Sequence, residues 1–526
     1  MFKRKAKRQK EVLESYSKLK KEVYNFDIIK RYATSVAGKE DSFQITDATY
    51  KDLDFDELFM FIDRSVSKIG QQYLYKAFQS IRKDDTLTST RELLIEKLRK
   101  NETAKHECIL ALASLSDYEV QYLTTLFLED QIQKPSWFWL IRLSGALSLV
   151  TFIGAFFFPV LWIAMVFILL FNFIIHYWNK KNLYQYAASL PQLITLVQTA
   201  RNISAYLEDK GEVTKQAIKD IDKLKPLIAL FKFNPAPKSD FGEVADYILE
   251  IVKALFLIEP LLLFRILNRL EHQKDNIHHL FTYVGELDLC LTINSIRETS
   301  KVHCKLNRLK RGNSLKMVKG YHPLITDPVN NTISVEEKSI LLTGSNMSGK
   351  STFIRTLGIN AILGQSLNLC FAESFEMPKM HVSSAIRIAD DLMTDSSYYF
   401  QEVTAIKKLM VASDEENANL FLLDELFKGT NTLERIASGK AVLSRLAQKE
   451  NLVFIASHDL ELSELLKDEF ITYHFSEQIQ DGRIIFDYKL KEGSLQKTNA
   501  IKILQVNGFP TEVIEEAKRI VEKLKN

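Results

Sequence analysis

A largely helical chain, split by a two-helix membrane hairpin and followed by an α/β domain, is the mixed architecture that three observations on the sequence predict. Residues 143–175 carry no charged side chain. The regions on either side, about 41–134 and 182–310, are rich in helix formers with apolar residues three and four apart, as at Leu93, Leu94 and Leu98. After Gly320 the texture changes to short apolar runs followed by helical stretches (SILLTG, NLFLLDE, NLVFIASH), the alternation of a mainly parallel sheet with helices on its faces. The 526 residues, 46% of them hydrophobic, can build about three or four structural units.

The uncharged run would measure roughly 50 Å as one helix, against about 30 Å for the apolar core of a bilayer. Pro159, preceded by Phe156, Phe157 and Phe158, falls near its centre, where a helix is expected to break, so two short helices are predicted. All four tryptophans belong to this region: Trp137 and Trp139 at its start, Trp178 at its end and Trp162 beside the turn, as interfacial anchors would be. Lys134 and Arg142 flank one side, and Lys180 and Lys181 the other. A hairpin puts these basic flanks on one face, cytoplasmic by the positive-inside tendency, with both soluble parts in the cytoplasm. The bland alternative is a buried helical pair inside a large soluble core. A second apolar stretch, 251–270, carries Lys253, Glu259 and Arg265 and reads as a packed soluble helix.

Charge decides little at the level of the whole chain, since 69 Lys and Arg against 66 Asp and Glu leave a net +3, which neither demands nor excludes a polyanionic partner. Cys108, Cys290, Cys304 and Cys370 lie far apart and form no CxxC pair, which argues against a zinc site and a secreted disulfide framework and for a reducing compartment. The first 22 residues are basic and lack the apolar stretch of a cleaved signal, so they read as a helical arm able to meet lipid headgroups or nucleic-acid phosphate, or as a solvated helix. Pro235, Pro237 and Gly242 mark residues 231–242 as a linker. Gln480-Asp481-Gly482-Arg483 predicts a hairpin turn, and the last 30 residues return to helix.

The chemistry concentrates after residue 340. Gly344-Ser345-Asn346-Met347-Ser348-Gly349-Lys350-Ser351 fits GxxxxGK[ST], follows the apolar run Ile340 to Thr343 and precedes a helix expected to start near Thr352. In such a loop the glycines let backbone N–H groups cradle phosphate, Lys350 reaches the β and γ phosphates and Ser351 ligates magnesium. Downstream, the run from Leu420 ends in Asp424 and Glu425, placing one carboxylate for the metal shell and the other to polarise an attacking water. His458 follows the apolar run Leu452 to Ala456, and Ser396 and Ser397 precede Tyr398, Tyr399 and Phe400.

Taken in order, TGSNMSGKSTFIRTLG, DDLMTDSSYYFQEV, FLLDELFKGTNTLE and ASHDLEL resemble the successive ATPase motifs of the MutS family. Residues 54–78 are similar to the start of that family's helical core, 284–298 to its return, Tyr321-His322-Pro323-Leu324 to the entry of the ATPase domain, and 500–523 to its helix-turn-helix dimerisation element. The resemblance implies a P-loop ATPase domain of ABC type using ATP and Mg2+. Asn346 and Lys350 would contact phosphates, within a nucleotide-binding stretch from Gly344 to Thr352. Ser351 and Asp424 would hold magnesium, Glu425 activate water and His458 sense the γ-phosphate. It also implies a homodimer in which Ser397 completes the partner subunit's site and Thr430, Asn431 and Thr432 lie at the interface.

The expected organisation is a basic arm (1–40), a first part of the helical core (41–136), the hairpin (137–180), a helical lever and second core part (181–320), the ATPase domain (321–496) and the dimerisation element (497–526). The family's loop usually has Pro and Gly where this chain has Ser345 and Ser348, changes such a loop tolerates. The chain is expected to have no room for the family's N-terminal mismatch-reading and connector domains; Phe55-Asp56-Glu57 matches their Phe-x-Glu wedge but falls in the core-like segment. Two functions follow: a membrane-anchored MutS-like ATPase that switches helical arms around DNA, or an ATP-driven membrane switch acting on a protein partner. A transporter subunit is weaker, for want of an LSGGQ-like signature.

Overall fold

The uncharged run folds, in a computed structural model, as two packed helices, α1 (Phe138–Ala155) and α2 (Leu161–Asn182), joined by a turn at residues 156–160 that contains Pro159. The structure describes the whole chain except residues 1, 40, 129–134, 209, 210, 232–247, 249, 311, 346, 388–397, 416, 481, 482, 495–500, 502, 503, 506, 507 and 526. The expected linker at 231–242 therefore lies almost wholly outside the described residues, as do the centre of the 480–483 turn and residues 500, 502, 503, 506 and 507 of the 500–523 element, whose described part ends in a helix over Thr511–Lys525. The fold is mixed and largely helical. It separates into one unit of residues 1–37, 63–76 and 89–296 and a second of residues 38–62, 77–88 and 297–526.

In the first unit the two apolar helices are built inside out relative to a soluble core. Ser144, Ser148, Thr151, Asn172 and His176 are buried, whereas Leu143, Leu147, Val150, Ile153, Val166, Phe167, Leu170 and Ile174 are exposed. Both helices are long and apolar enough to cross a membrane, and only 39% and 17% of their most apolar windows are buried. The stretch read as one packed helix is instead broken. Residues 250–255 are helical, Leu257 takes a left-handed φ of 51°, and α3 (Ile258–Leu270) then runs on. Both arms pack on the apolar pair. Phe256 meets Phe152 at 5.9 Å between ring centroids, Phe264 meets Phe138 at 5.0 Å, and a side chain at Gly145 would come within 3.1 Å of the Phe256 carbonyl.

A break in a helix frees carbonyls, and burial makes an unpaired one costly. Asn172 of α2 resolves this by donating to the Leu255 carbonyl (2.5 Å) and to Ser148 Oγ (3.0 Å), while Ser144 Oγ donates to its Oδ1 (2.5 Å). The charges of Glu250, Lys253 and Glu259 are matched in the same way. Lys180 pairs with Glu250 at 2.8 Å, and Lys253 pairs with Glu250 at 3.3 Å and Glu259 at 3.6 Å.

The long helix α4 (Lys274–Thr299) organises the remainder of this unit. Its buried Asp288 accepts hydrogen bonds from the backbone N–H of Val66 (2.8 Å) and Ser67 (2.7 Å) and from Ser67 Oγ (2.6 Å). Desolvation pushes this carboxyl up to about 6. A side chain at Gly70 would lie 2.1 Å from Asp288 Oδ2, so only glycine permits the approach. Gly70→Ala is accordingly expected to destabilise the helical unit by about 1–3 kcal/mol; an unchanged midpoint in denaturant unfolding followed by circular dichroism would contradict this packing.

The second unit is built on a six-stranded sheet. Its strands are β1 (Ser339–Thr343), β2 (His381–Ala385), β3 (Asn419–Asp424), β4 (Leu452–Ala456), β5 (Phe470–His474) and, beyond a separate hairpin of β6 (Glu477–Gln480) and β7 (Arg483–Phe486), β8 (Lys491–Glu492). They lie in the order β8-β5-β1-β4-β3-β2, all parallel except β8. β1 and β4 are buried along their full length, as continuous apolar runs covered on both faces must be. Helices α5 (Lys350–Leu367), α6 (Tyr398–Asp414) and α7 (Thr432–Leu446) make the crossovers. Residues 46–54, far away in the chain, are tied to the end of β2. Asp52 accepts from Ser384 Oγ (2.6 Å) and from the N–H groups of Ile386 (2.9 Å) and Arg387 (2.7 Å).

Candidate functional site

In a doubly covered parallel sheet, ligands bind beyond the carboxyl ends of the strands. Here β1, β3 and β4 end side by side, with Ala456 opposite Asp424 and Leu342 opposite Ala456. Gly344–Gly349 turns from β1 into α5. It uses left-handed backbone at Gly344 (φ 141°), Met347 (φ 68°) and Gly349 (φ 108°), which aims the first N–H groups of α5 towards the space above the sheet. A side chain at Gly344 would lie 2.6 Å from the Phe475 carbonyl, so glycine is demanded there by space as well as by φ.

Lys350, the first residue of α5, is buried and folds back over the loop, donating to the carbonyls of Gly344 (2.7 Å) and Ser345 (2.9 Å). Burial lowers its ammonium and raises the Asp424 carboxyl, which is held partly in check by a hydrogen bond from Ser351. Both groups are thus drawn towards neutrality, the condition in which an added phosphate or cation gains most. The cleft has a volume of about 810 Å³ and includes Ser348, Lys350, Ser351, Asp424, Glu425 and His322 in its walls. Ser348 Oγ is buried with no hydrogen-bond partner among the described residues. A donor left unsatisfied in that position fits a phosphate oxygen.

Glu425 follows β3 in a left-handed conformation (φ 56°) stabilised by its N–H bonding the Ala456 carbonyl at 2.8 Å. Its carboxylate meets His458 Nε2 at 2.5 Å and Lys428 Nζ at 3.3 Å. The His458 hydrogen bond, opposed by partial burial and aided by Lys428, holds the carboxyl well below its ordinary range, at about 2. His322 is kept neutral by burial, with Arg355 adding to the effect, and lies at about 4.

Of the residues singled out in the sequence, the structure brings Ser345, Met347, Ser348, Gly349, Lys350, Ser351, Thr352, Asp424 and Glu425 to one cleft, with Gly344 opening the loop behind it and His458 at its edge through Glu425. Asn346, Ser396 and Ser397 lie outside the described residues. Asn431 caps α7, accepting from the Glu434 N–H at 3.0 Å, and Thr430 Oγ1 donates to the Glu434 carboxylate at 2.8 Å.

Four further participants were not singled out from the sequence. Glu477 on β6 accepts from Ser345 Oγ at 2.7 Å, a bond that a proline at that position could not make. Phe475 and Tyr488 close over the loop from the same stretch of chain, Tyr488 within 3.2 Å of where a Gly349 side chain would be. Glu402 on α6 accepts from the N–H of Phe427 (2.6 Å) and Lys428 (3.4 Å), orienting the segment after Glu425. Only Glu402 had a signal, a single acid on an otherwise apolar helix face.

Residues 340–525 match the family model MutS domain V. Among curated proteins, the chain is similar to the DNA mismatch repair protein MutS of Petrotoga mobilis, 29% identical over 282 residues that make up 50% of this chain and 33% of that protein. It is 28% identical to that of Listeria welshimeri over 55% of this chain and 34% of the relative, and 26% identical to that of Thermus thermophilus over 48% and 31%. The chain thus spans about a third of the length of these curated relatives.

Proposed function

We propose that this chain, whose residues 340–525 match MutS domain V, is a MutS-family, membrane-anchored ATPase, working as a homodimer, whose nucleotide cycle switches helical arms around DNA in a role related to mismatch repair. The observation that carries the ATPase reading is the convergence of Lys350, Ser351, Asp424 and Glu425 beyond the ends of β1 and β3, the two strands that flank β4, around one cleft. With ATP present, Lys350 exchanges its two loop carbonyls for phosphate oxygens and Ser348 Oγ gains the acceptor it lacks. Ser351 and Asp424 would hold Mg2+, which neutralises charge on the phosphates. Glu425, kept ionised by His458 and Lys428, orients and polarises a water; so acidic a carboxyl is a poor proton acceptor, so orientation is its larger contribution. Asn346 on the phosphates, His458 as γ-phosphate sensor and Ser397 acting across the dimer follow from the family resemblance.

Support for the anchor comes from the inverted burial of α1 and α2, since apolar side chains turned outward and polar ones inward suit a lipid solvent. Trp137 packs on Trp178 at 4.8 Å, bringing the two ends of residues 137–180 together as interfacial anchors of a cell-membrane hairpin with the soluble regions on the cytoplasmic side. The same inversion favours, as a second reading, an ATP-driven membrane switch that moves a protein partner without DNA.

The deciding measurement is binding of the full-length protein, held in detergent or nanodiscs, to homoduplex and single-mismatch DNA with and without ATP over a salt series. ATP-sensitive binding that weakens steeply with salt is expected, as phosphate contacts require. Absence of binding in every condition would leave the membrane switch as the function.

A further inference from the structure

At the foot of the apolar helices, the first turns of α1 and the C-terminal half of α3 enclose an open cleft of about 420 Å³. Arg142, Arg265, Arg269 and Asn268 form its walls and Phe138 and Phe264 its floor. The floor is rigid, because the two rings meet edge to face at 5.0 Å and the Arg142 guanidinium stacks 5.2 Å above Phe138. Among the described residues no carboxylate lines the cleft, and none of the three arginines has an acidic partner.

The other basic groups nearby are treated differently. Lys180, Lys253 and His176 share Glu250 and Glu259, at 2.8 to 3.8 Å. Three guanidiniums on two packed helices repel one another unless an anion joins them, and their planar forks suit a phosphate bidentately. The aromatic floor beside them suits the apolar shoulder of the same molecule. We propose that this cleft binds the phosphodiester headgroup of an anionic phospholipid of the cytoplasmic leaflet.

The placement follows from the packing. Arg142 stands one turn inside α1, next to Trp137 and Trp139, and α3 brings Arg265 and Arg269 to that level while Phe256 reaches to Phe152, deeper along α1. Basic pockets between helices at this depth meet lipid phosphate before any free anion, in a leaflet already enriched in negative charge. The proposal rests on the membrane reading above, and the broken 250–270 stretch then enters the bilayer beside the hairpin, its irregular backbone covered by protein.

The test uses full-length protein in uncharged maltoside detergent, titrated with short-chain brominated phosphatidylglycerol or brominated phosphatidylcholine. Quenching of tryptophan fluorescence is a local signal, because all four tryptophans lie between 137 and 178. Phosphatidylglycerol is expected to saturate at a concentration at least tenfold below phosphatidylcholine. R142Q/R265Q/R269Q is expected to lose that preference while keeping ATP binding. If the triple variant does not fold, Arg142→Gln alone, at an exposed position, is expected to weaken phosphatidylglycerol by a measurable several-fold factor.

Equal titration by the two lipids, or a variant that keeps the preference, would overturn the proposal. So would displacement of the lipid by millimolar inorganic phosphate, which would make the site one for a free anion, or by a single-stranded oligonucleotide, which would assign the arginines to nucleic acid. Alkaline carbonate extraction of cell membranes separates this failure from that of its premise. Release of the protein refutes the anchor, whereas retention together with equal lipid titration refutes the headgroup site alone.

Discussion

Lys350→Ala is expected to abolish ATP binding and with it at least about a hundredfold of turnover, the scale for removing one preorganised electrostatic donor from a dry site. The ammonium is the only cation the loop itself offers, and in the cleft it is already desolvated and folded onto the Gly344 and Ser345 carbonyls. Alanine leaves the cradle's N–H groups in place without the charge that compensates the β and γ phosphates. Equilibrium binding of a fluorescent ATP analogue, alongside phosphate release, measures both losses. Turnover within a few-fold of wild type would mean that this loop is not where ATP is hydrolysed.

Glu425→Ala should do the opposite to binding. The nucleotide is expected to bind with little change, because Glu425 is held by His458 and Lys428 and makes no bond to the described residues of the phosphate loop, while turnover falls by about 10²–10⁴-fold as the water loses its orienting carboxylate. ATP should therefore remain trapped, recoverable unhydrolysed after gel filtration. Recovery of ADP at the wild-type rate would remove Glu425 from the mechanism. The contrast between the two variants is the stronger test, since a merely destabilised domain would lose binding in both.

Local features were legible because they are written in contiguous residues. An uncharged run with a central proline favours two short apolar helices, and short apolar runs such as ILLT, LFLLD and LVFIA, set between helical stretches, favour strands covered on both faces, as they prove to be. The glycine-lysine spacing prescribes the turn from β1 into α5 because left-handed φ values and a helix N-terminus are local demands. The stretch 251–270 misled for a related reason. Its apolar content and scattered charges are those of an ordinary packed helix, and nothing in its own residues marks Leu257 as a break, because the carbonyl it exposes is satisfied by Asn172, some 80 residues away.

What the sequence by itself determined about this protein is its resemblance to the MutS family, the glycine-rich loop between β1 and α5 and the pairing of apolar and basic stretches around residues 137–180, all properties of local pattern, backbone preference and solvent partition that need no distant partner. What only the tertiary structure decided is how charges and hydroxyls are neutralised. Ser345 finds Glu477, Glu425 finds His458, Asp52 finds the end of β2, and Lys253 finds Glu259 while Arg142, Arg265 and Arg269 find no carboxylate at all among the described residues. Hydrogen bonds and ion pairs act over a few ångströms and leave no periodic trace along the chain, so the residues they join become visible only when the fold has brought them within reach.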